Sequence, residues 1–379
     1  MKYIHIVQFH LMSGGGVGSV LTDLCEAMAK QSGETYIISL FQRKGIDFQA
    51  ERAWATEKGV NVLLMQEKPS DSSLKAFSTL RRTIKQLAKE EECCLFLHLK
   101  MGVLAGIIST LGIKNVKRLE VYHSGYMRYK LLAFFARPFI RHYISVSKEA
   151  RQQLIEWFHI NEKKIDVVYN GVDVDHIREI ARVENSQNGE VEFLSVGRLS
   201  FEKGFKTPIQ AYAELKESGT LLDSTYTMIG DGAQRQEAED LAKGIVTFTG
   251  VIPRDSVYKH IGSCDIMVLP SLWEGNSILM LEVLSLGKPM VLTDIPSFRE
   301  VLEFEPLEDN ERCRLEWFGV VFRKEDVEAC KEALRLAYDN LLNLRSNTDK
   351  IMSLGDKFST KEQANRYFGI ATSLYDSMK

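Results

Sequence analysis

The chain has 379 residues, 45% of them hydrophobic and 26% charged, and a formal net charge of −3. That is globular composition with length for two domains; it excludes a low-complexity chain and asks for no nucleic-acid partner. No run approaches the roughly 18 to 20 apolar residues of a membrane span, and the apolar start, broken by His5, is too short for a signal peptide, so a cytoplasmic protein is expected.

The six cysteines are scattered, with no C-x-x-C and no Cys/His ligand spacing, which reads as reduced structural thiols. Cys93 and Cys94 should point to opposite faces of one strand. Charge is uneven. Residues 1–170 hold 24 Lys+Arg against 16 Asp+Glu (+8), leaving 24 against 35 (−11), which together return −3. A basic half joined to an acidic half suggests separate duties, with an anionic partner such as a membrane surface for the first.

In chain order, short β-branched or apolar runs predict strands at residues 3–9, 35–40, 60–65, 94–98, 118–122, 142–146 and 165–168. Helices are predicted between them at 17–30, 73–91, 102–110, 128–141 and 148–158. A polar loop at 183–190 follows, and the pattern restarts with strands at 191–196, 226–229, 245–248, 266–269, 290–292 and 319–322. A last helix is predicted at 360–378. This alternation implies βαβ units and parallel sheets: an α/β protein of two Rossmann-like, doubly wound domains with a seam near Tyr169-Asn170-Gly171-Val172. The basic, apolar segment 128–141 reads as a core helix with snorkelling cations; its charged face is left open to anionic lipid.

Open parallel sheets bind ligands beyond the carboxyl ends of their strands, and the informative residues fall there. The first strand runs into Ser13-Gly14-Gly15-Gly16-Val17-Gly18-Ser19, where glycines let backbone approach an anion at a helix start. A tight turn without ligand is the alternative. The dinucleotide pattern fails, because Ser19 and Leu21 stand where it needs glycine. The counterpart in the second half is Gly197-Arg198-Leu199-Ser200-Phe201-Glu202-Lys203-Gly204. Two cations on one strand-end loop suit a diphosphate, with solvated surface cations as the alternative.

Further strand ends carry Ile229-Gly230-Asp231-Gly232 and Thr249-Gly250-Val251. The most unusual is Glu274-Gly275-Asn276-Ser277-Ile278-Leu279-Met280-Leu281-Glu282. Glu282 sits in a helix that is apolar nearly all round, where an ionised carboxylate needs a partner. Two acceptor-only carboxylates beside a helix start suit sugar or ribose hydroxyls. His98, just after a strand, reads as packed or hydrogen-bonded, with a place lining the ligand cleft as the alternative, and His5 has no assigned role. Asp173-Val174-Asp175 lies at the seam, away from the cations, and is not read as a metal site.

This ordered set resembles the retaining nucleotide-sugar glycosyltransferases of the GT-B fold, family 4 (group 1). Their signature is two glutamates separated by seven residues, matched by Glu274 and Glu282, with Ser277 and Val283 replacing a frequent glycine and alanine. Gly197 to Gly204, Tyr169 to Asp173, Ile144 to Ser147, the I-G-D-G tract and Gly287 to Pro289 also match. The resemblance implies two Rossmann-like domains facing across a cleft: residues 1–172 with helix 360–379 on the acceptor side, and 173–359 for the donor. It implies that Arg198 and Lys203 hold the donor diphosphate and Glu282 the ribose. Glu274 and the backbone of Gly275, Asn276, Ser277 and Ile278 would hold sugar and phosphate, with Val251 near the base.

In the first domain the resemblance implies that Gly15 and Gly16 face the phosphates and that His123, in V-Y-H-S-G, lies close to the reacting sugar. The family's usual Glu and Arg after the glycine pair are absent here. The implied reaction moves a sugar from a UDP- or GDP-sugar to a saccharide or lipid-linked hydroxyl in polysaccharide or glycolipid synthesis. Retention, no metal and no further cofactor are expected, with peripheral contact at the inner membrane face in prospect. A non-catalytic sugar-nucleotide-binding subunit is the competing reading.

Overall fold

Alternating apolar runs and amphipathic spacings resolve into two parallel-dominated α/β sheets in the structure, a computed structural model that describes residues 1–9, 16–32, 34–42, 48–66, 72–123, 130–182 and 189–376. The chain forms two units: Met1–Val172 with Thr360–Lys379, and Asp173–Ser359. In the first unit, β1 (Lys2–Val7), β2 (Thr35–Ser39), β3 (Asn61–Leu64), β4 (Cys93–His98), β5 (Val116–Tyr122), β6 (His142–Ser145) and β7 (Ile165–Val167) pair in the order β3-β2-β1-β4-β5-β6-β7. All six pairings are parallel.

The two faces of this sheet carry separate cores, and β4 shows why. Its alternate residues Cys93, Leu95 and Leu97 enter one core, while Cys94 and Phe96 enter the other, as period-two pleating requires. Over the first core the helix Ser73–Glu90, capped by Ser72, lays down Ala76, Leu80, Ile84 and Ala88. Burying each larger aliphatic side chain stabilises the fold by roughly 1.5–3 kcal/mol. The helix Leu99–Thr110 is buried almost all round, and Gly102 lets it lie against β1: a Cβ there would stand 2.6 Å from the Ile6 carbonyl oxygen. Over the second core lie the helices Gly16–Ser32 and Thr360–Asp376, the latter contributing Ala364, Tyr367, Ile370, Ala371 and Tyr375.

In the second unit, β8 (Val191–Val196), β9 (Ser224–Ile229), β10 (Thr247–Gly250), β11 (Ile266–Leu269), β12 (Met290–Thr293), β13 (Cys313–Glu316) and β14 (Gly319–Phe322) pair in the order β10-β9-β8-β11-β12-β14-β13. Only β13 runs antiparallel to its neighbour among the described pairings. In both sheets strand order reverses beside the first strand, between β1 and β4 and between β8 and β11. Those are the switch points where such sheets take ligands.

Some expectations change. Within the described residues the predicted helix 128–141 runs over Lys130–Ala136 and then gives way to a 3-10 turn, Arg137–Phe139, because Pro138 cannot continue an α-helix. Its apolar side is not all core either: Phe134 and Phe135 are 62% and 63% exposed, and Phe139 40%. The tenth predicted strand begins two residues late, at Thr247. The helix Phe48–Glu57 and the edge strand β13 were not anticipated. Residues 183–188 of the expected loop, Arg128, and Ser13 to Gly15 of the first glycine turn lie outside the described residues.

Candidate active site

Crossing glycine loops build the carboxyl end of the second sheet. Gly197 follows β8 at φ +148° and Gly230 follows β9 at φ +134°. A Cβ on Gly230 would stand 1.9 Å from the Gly197 carbonyl oxygen, and one on Gly232 2.3 Å from that of Leu199. Backbone bonds lock the contact, with Gly197 N donating to Ile229 O (2.9 Å) and Leu199 N to Asp231 O (3.0 Å). Arg198 sits on this ledge, exposed, and among the described residues its guanidinium has no hydrogen-bonded or ion-paired partner.

The loop after β8 then turns through Phe201–Lys203 and ends on Gly204 at φ +64°. A Cβ there would meet the Pro270 carbonyl oxygen at 2.2 Å, so only glycine lets this loop lie against the one after β11. Lys203 Nζ thereby reaches Glu274 Oε1 at 2.6 Å, and Ser271 Oγ donates to the same oxygen at 2.8 Å. Among the described residues no protein group bonds Glu274 Oε2, which leaves an acceptor open at the switch point. Exposed Phe201 and Trp273 flank the pair, their rings 5.9 Å apart and tilted by 56°.

The partner required by the buried glutamate is present. Glu282 lies in the helix Ile278–Ser285, started by Ser277, whose hydroxyl accepts from Met280 N. The serine that replaces a frequent glycine is thus a helix cap. Glu282 is 7% exposed, and Arg254 Nη2 and Tyr258 Oη both donate to its Oε1 at 3.2 Å. Both donors stand on the helix Arg254–Ser263, one turn apart, with the guanidinium 5.4 Å from the Tyr258 ring centre. Sequence reasoning missed them; the Arg-x-x-x-Tyr spacing directly after Pro253 was the available signal. Val251 is 80% exposed at the end of β10. Gly275 and Asn276 lie between Glu274 and the cap, and Ile278 opens the helix.

In the first unit Gly16 is exposed at the start of its helix, while Gly15 lies outside the described residues. His123 stands just past β5, half-buried, and its Nε2 is 3.1 Å from His98 Nδ1. His98 is fully buried at the end of β4, and its Nε2 is 3.0 Å from Nδ1 of His5 on β1. The expectation of a hydrogen-bonded His98 holds, and His5, given no role, is joined to it. Burial drives the His5 pKa down to about 3 and that of His123 to about 4, and holds His98 well below its usual value. Among the described residues no cluster of three or more His, Cys, Asp or Glu side chains is arranged to hold a metal. Asp173 instead caps the helix Val174–Ile180, accepting from His176 N at 3.1 Å.

Two family profiles match the chain in tandem: "Glycosyltransferase Family 4" over residues 14–176 and "Glycosyl transferases group 1" over residues 176–351. An uncharacterized glycosyltransferase of Methanocaldococcus jannaschii is 29% identical over 176 residues, 43% of this chain and 44% of that protein. The chain thus aligns with less than half the length of that relative. A UDP-Gal:alpha-D-GlcNAc-diphosphoundecaprenol alpha-1,3-galactosyltransferase of Escherichia coli is 24% identical over 304 residues, 73% of this chain and 74% of that enzyme. Among solved structures, Anabaena HepE in complex with UDP and glucose superposes with a TM-score of 0.75 at 16% identity, over 98% of this chain and 100% of that one. That likeness shows a shared fold.

Proposed function

This chain belongs to the group 1, family 4-like glycosyltransferases of the GT-B fold, and we propose that it moves a sugar from a nucleoside-diphosphate sugar to an acceptor hydroxyl. One observation carries the reading: Arg198, the Lys203–Glu274 pair and the Arg254–Glu282–Tyr258 group all gather at the carboxyl end of one sheet, around its switch point. Arg198 and Lys203 would meet the diphosphate. Glu274 would accept from sugar hydroxyls through Oε2, and Glu282 from the ribose. UDP is the nucleotide held by HepE, and a UDP-sugar is the donor named for the E. coli relative, which favours a uridine donor here.

In the proposed step the bond from the anomeric carbon to the diphosphate oxygen breaks, and its electron pair leaves on that oxygen. The acceptor oxygen bonds the anomeric carbon from the same face, so configuration is retained, and its proton passes to the departing phosphate oxygen. Charge on the leaving group grows as the bond breaks, and preplaced cations stabilise that state more than the ground state. The chain's own cations would do this without a metal. His123 would donate to the transferring sugar as a neutral imidazole rather than act as a base.

For the acceptor we propose a lipid-linked or polysaccharide hydroxyl, following the diphosphoundecaprenol substrate in the relative's name. No helix among the described residues is long and apolar enough to cross a membrane. Phe134 and Phe135, beside Arg137, offer instead a surface for anionic lipid. The test of the whole reading is nucleotide release from a panel of UDP-, GDP- and ADP-sugars with candidate acceptors. Release of one nucleotide by wild type, lost in Glu282→Gln and Arg198→Ala, supports it. Binding of a nucleotide without release under any acceptor favours the non-catalytic subunit.

A further inference from the structure

Three histidines stand in file across β1, β4 and β5. The register pairs His5 with Phe96 and His98 with Val121. Each imidazole therefore lies two residues further along its strand than the position opposite the one before. Pleating puts all three on one face of the sheet, the face that also carries Phe96 and Val121 and is packed by Tyr367. Exposure rises only at the end of the file: His5 and His98 have none, and His123 is half-buried. The His5 ring lies nearly parallel to that of Phe96, with centres 4.8 Å apart and planes 24° apart, and its plane is within 23° of the His98 ring that it meets edge to edge through the nitrogen contact. It is held in plane.

A neutral imidazole has one N–H and one bare nitrogen. Two bonds through three such rings must run the same way, so the polarity of the file is all-or-none. In one arrangement His5 Nδ1–H donates to His98, His98 Nδ1–H donates to His123 Nε2, and His123 keeps its proton on Nδ1. In the other every bond is reversed and His123 ends on a bare Nδ1. The buried end decides between them. His5 Nε2 is buried without a hydrogen-bond partner among the described residues. The reversed polarity would bury an orphan N–H there, the rarer defect in folded proteins, whereas the first leaves only a bare nitrogen.

We infer that His98 and His5 are positioning residues that hold His123 as its Nδ1–H tautomer, a fixed neutral hydrogen-bond donor for an oxygen of the transferring sugar. The clause about the sugar rests on the transferase reading; the tautomer does not. Burial of the rings supports the same picture, because it keeps the file uncharged at neutral pH.

The experiment uses the full chain labelled with 15N-histidine. Long-range proton–nitrogen correlation spectra, assigned with His123→Gln and His98→Phe, report which nitrogen of each ring carries the proton. The expected pattern is Nδ1–H on all three. His123 protonated at Nε2, or averaged between its tautomers, overturns the inference. In sugar transfer, His98→Phe is expected to lower kcat about 10- to 100-fold, with donor KM changed less than about 3-fold. His98→Asn, whose amide nitrogen can stand in for Nδ1–H, is expected to recover most of kcat. Unchanged kcat in His98→Phe, with a mixed His123 tautomer, overturns the positioning role. If His98→Phe does not fold, the wild-type spectra and His98→Asn still decide. A wild type without turnover on any donor would sink the transferase reading instead, and the spectra would still decide the tautomer.

Discussion

Lys203 Nζ stands 2.6 Å from Glu274 Oε1, joining the loop after β8 to the loop after β11 across the switch point of the second sheet. The two side chains keep 28% and 14% of their surface, so the pair is partly shielded yet open to a ligand. A cation suited to phosphate and a carboxylate suited to a sugar hydroxyl are thus one unit before any donor arrives. Removing either changes the other, and their effects should not add. Lys203→Ala and Glu274→Gln are each expected to slow nucleotide release about 100-fold. The double variant should be little slower than the worse single one in kcat/KM. Losses that multiply would show two independent contacts.

Arg254 and Tyr258 both donate to Glu282 Oε1. Arg254→Met removes the charged donor of the two, and the expected loss is about 1–3 kcal/mol, moderated because the arginine side chain keeps 34% of its surface. Tyr258→Phe is expected to cost about 1 kcal/mol. Thermal midpoints check both, and nucleotide affinity, read by the shift of midpoint with added UDP, should fall in Arg254→Met. Unchanged midpoints would mean that solvent replaces the arginine at no cost.

The buried histidines fix an acid limit. His5 and His123 have folded pKa values lowered to about 3 and about 4, against an ordinary 6.5. Between those values the unfolded chain binds more protons than the folded one, so stability rises with pH and is lost as pH falls below about 6.5. The first unit should therefore loosen in mild acid before the second. Amide exchange along β1 and β4, taken relative to the intrinsic rate of an unfolded chain at the same pH, should accelerate between about pH 7 and about pH 5. In His5→Phe the acceleration should shrink. Equal acceleration in both units would assign the acid limit elsewhere.

Phe134 and Phe135 give the membrane proposal its handle. Pelleting with anionic vesicles at low salt should recover the chain, and Phe134→Ser with Phe135→Ser should weaken recovery about 10-fold, by removing two apolar side chains from the interface. No pelleting of wild type would end the proposal.

Much of this was legible in the amino-acid order. The strand-and-helix alternation, the glycine ledges and the Lys203 and Glu274 positions are local patterns, since a strand end, a turn and a helix start each leave their own residues within a few positions. The partners of Glu282 were not legible, because Arg254 and Tyr258 lie 28 and 24 residues away and only the packing of two helices brings them over. The histidine file was hidden for the same reason: His5 and His98 are 93 residues apart and meet through the parallel register of β1 and β4. Strand β13 escaped because Cys313-Arg314-Leu315-Glu316 is half-buried throughout and pairs its arginine with its own glutamate.

The helix Thr360–Asp376 completes the core of the first unit, with Tyr375 Oη donating to Cys93 O at 2.7 Å and Gln363 accepting from Gly171 N at 3.0 Å. On the ribosome that helix is made only after the whole of Asp173–Ser359. At roughly 5–20 residues per second the wait is on the order of ten to forty seconds. For that time the sheet face bearing His5, Cys94 and Phe96 has only the helix Gly16–Ser32 of its two covering helices, and the unit begun second is ready to close first. The nascent chain therefore passes through a stage with one finished domain and one apolar sheet face half covered, and that stage is where a chaperone would be needed.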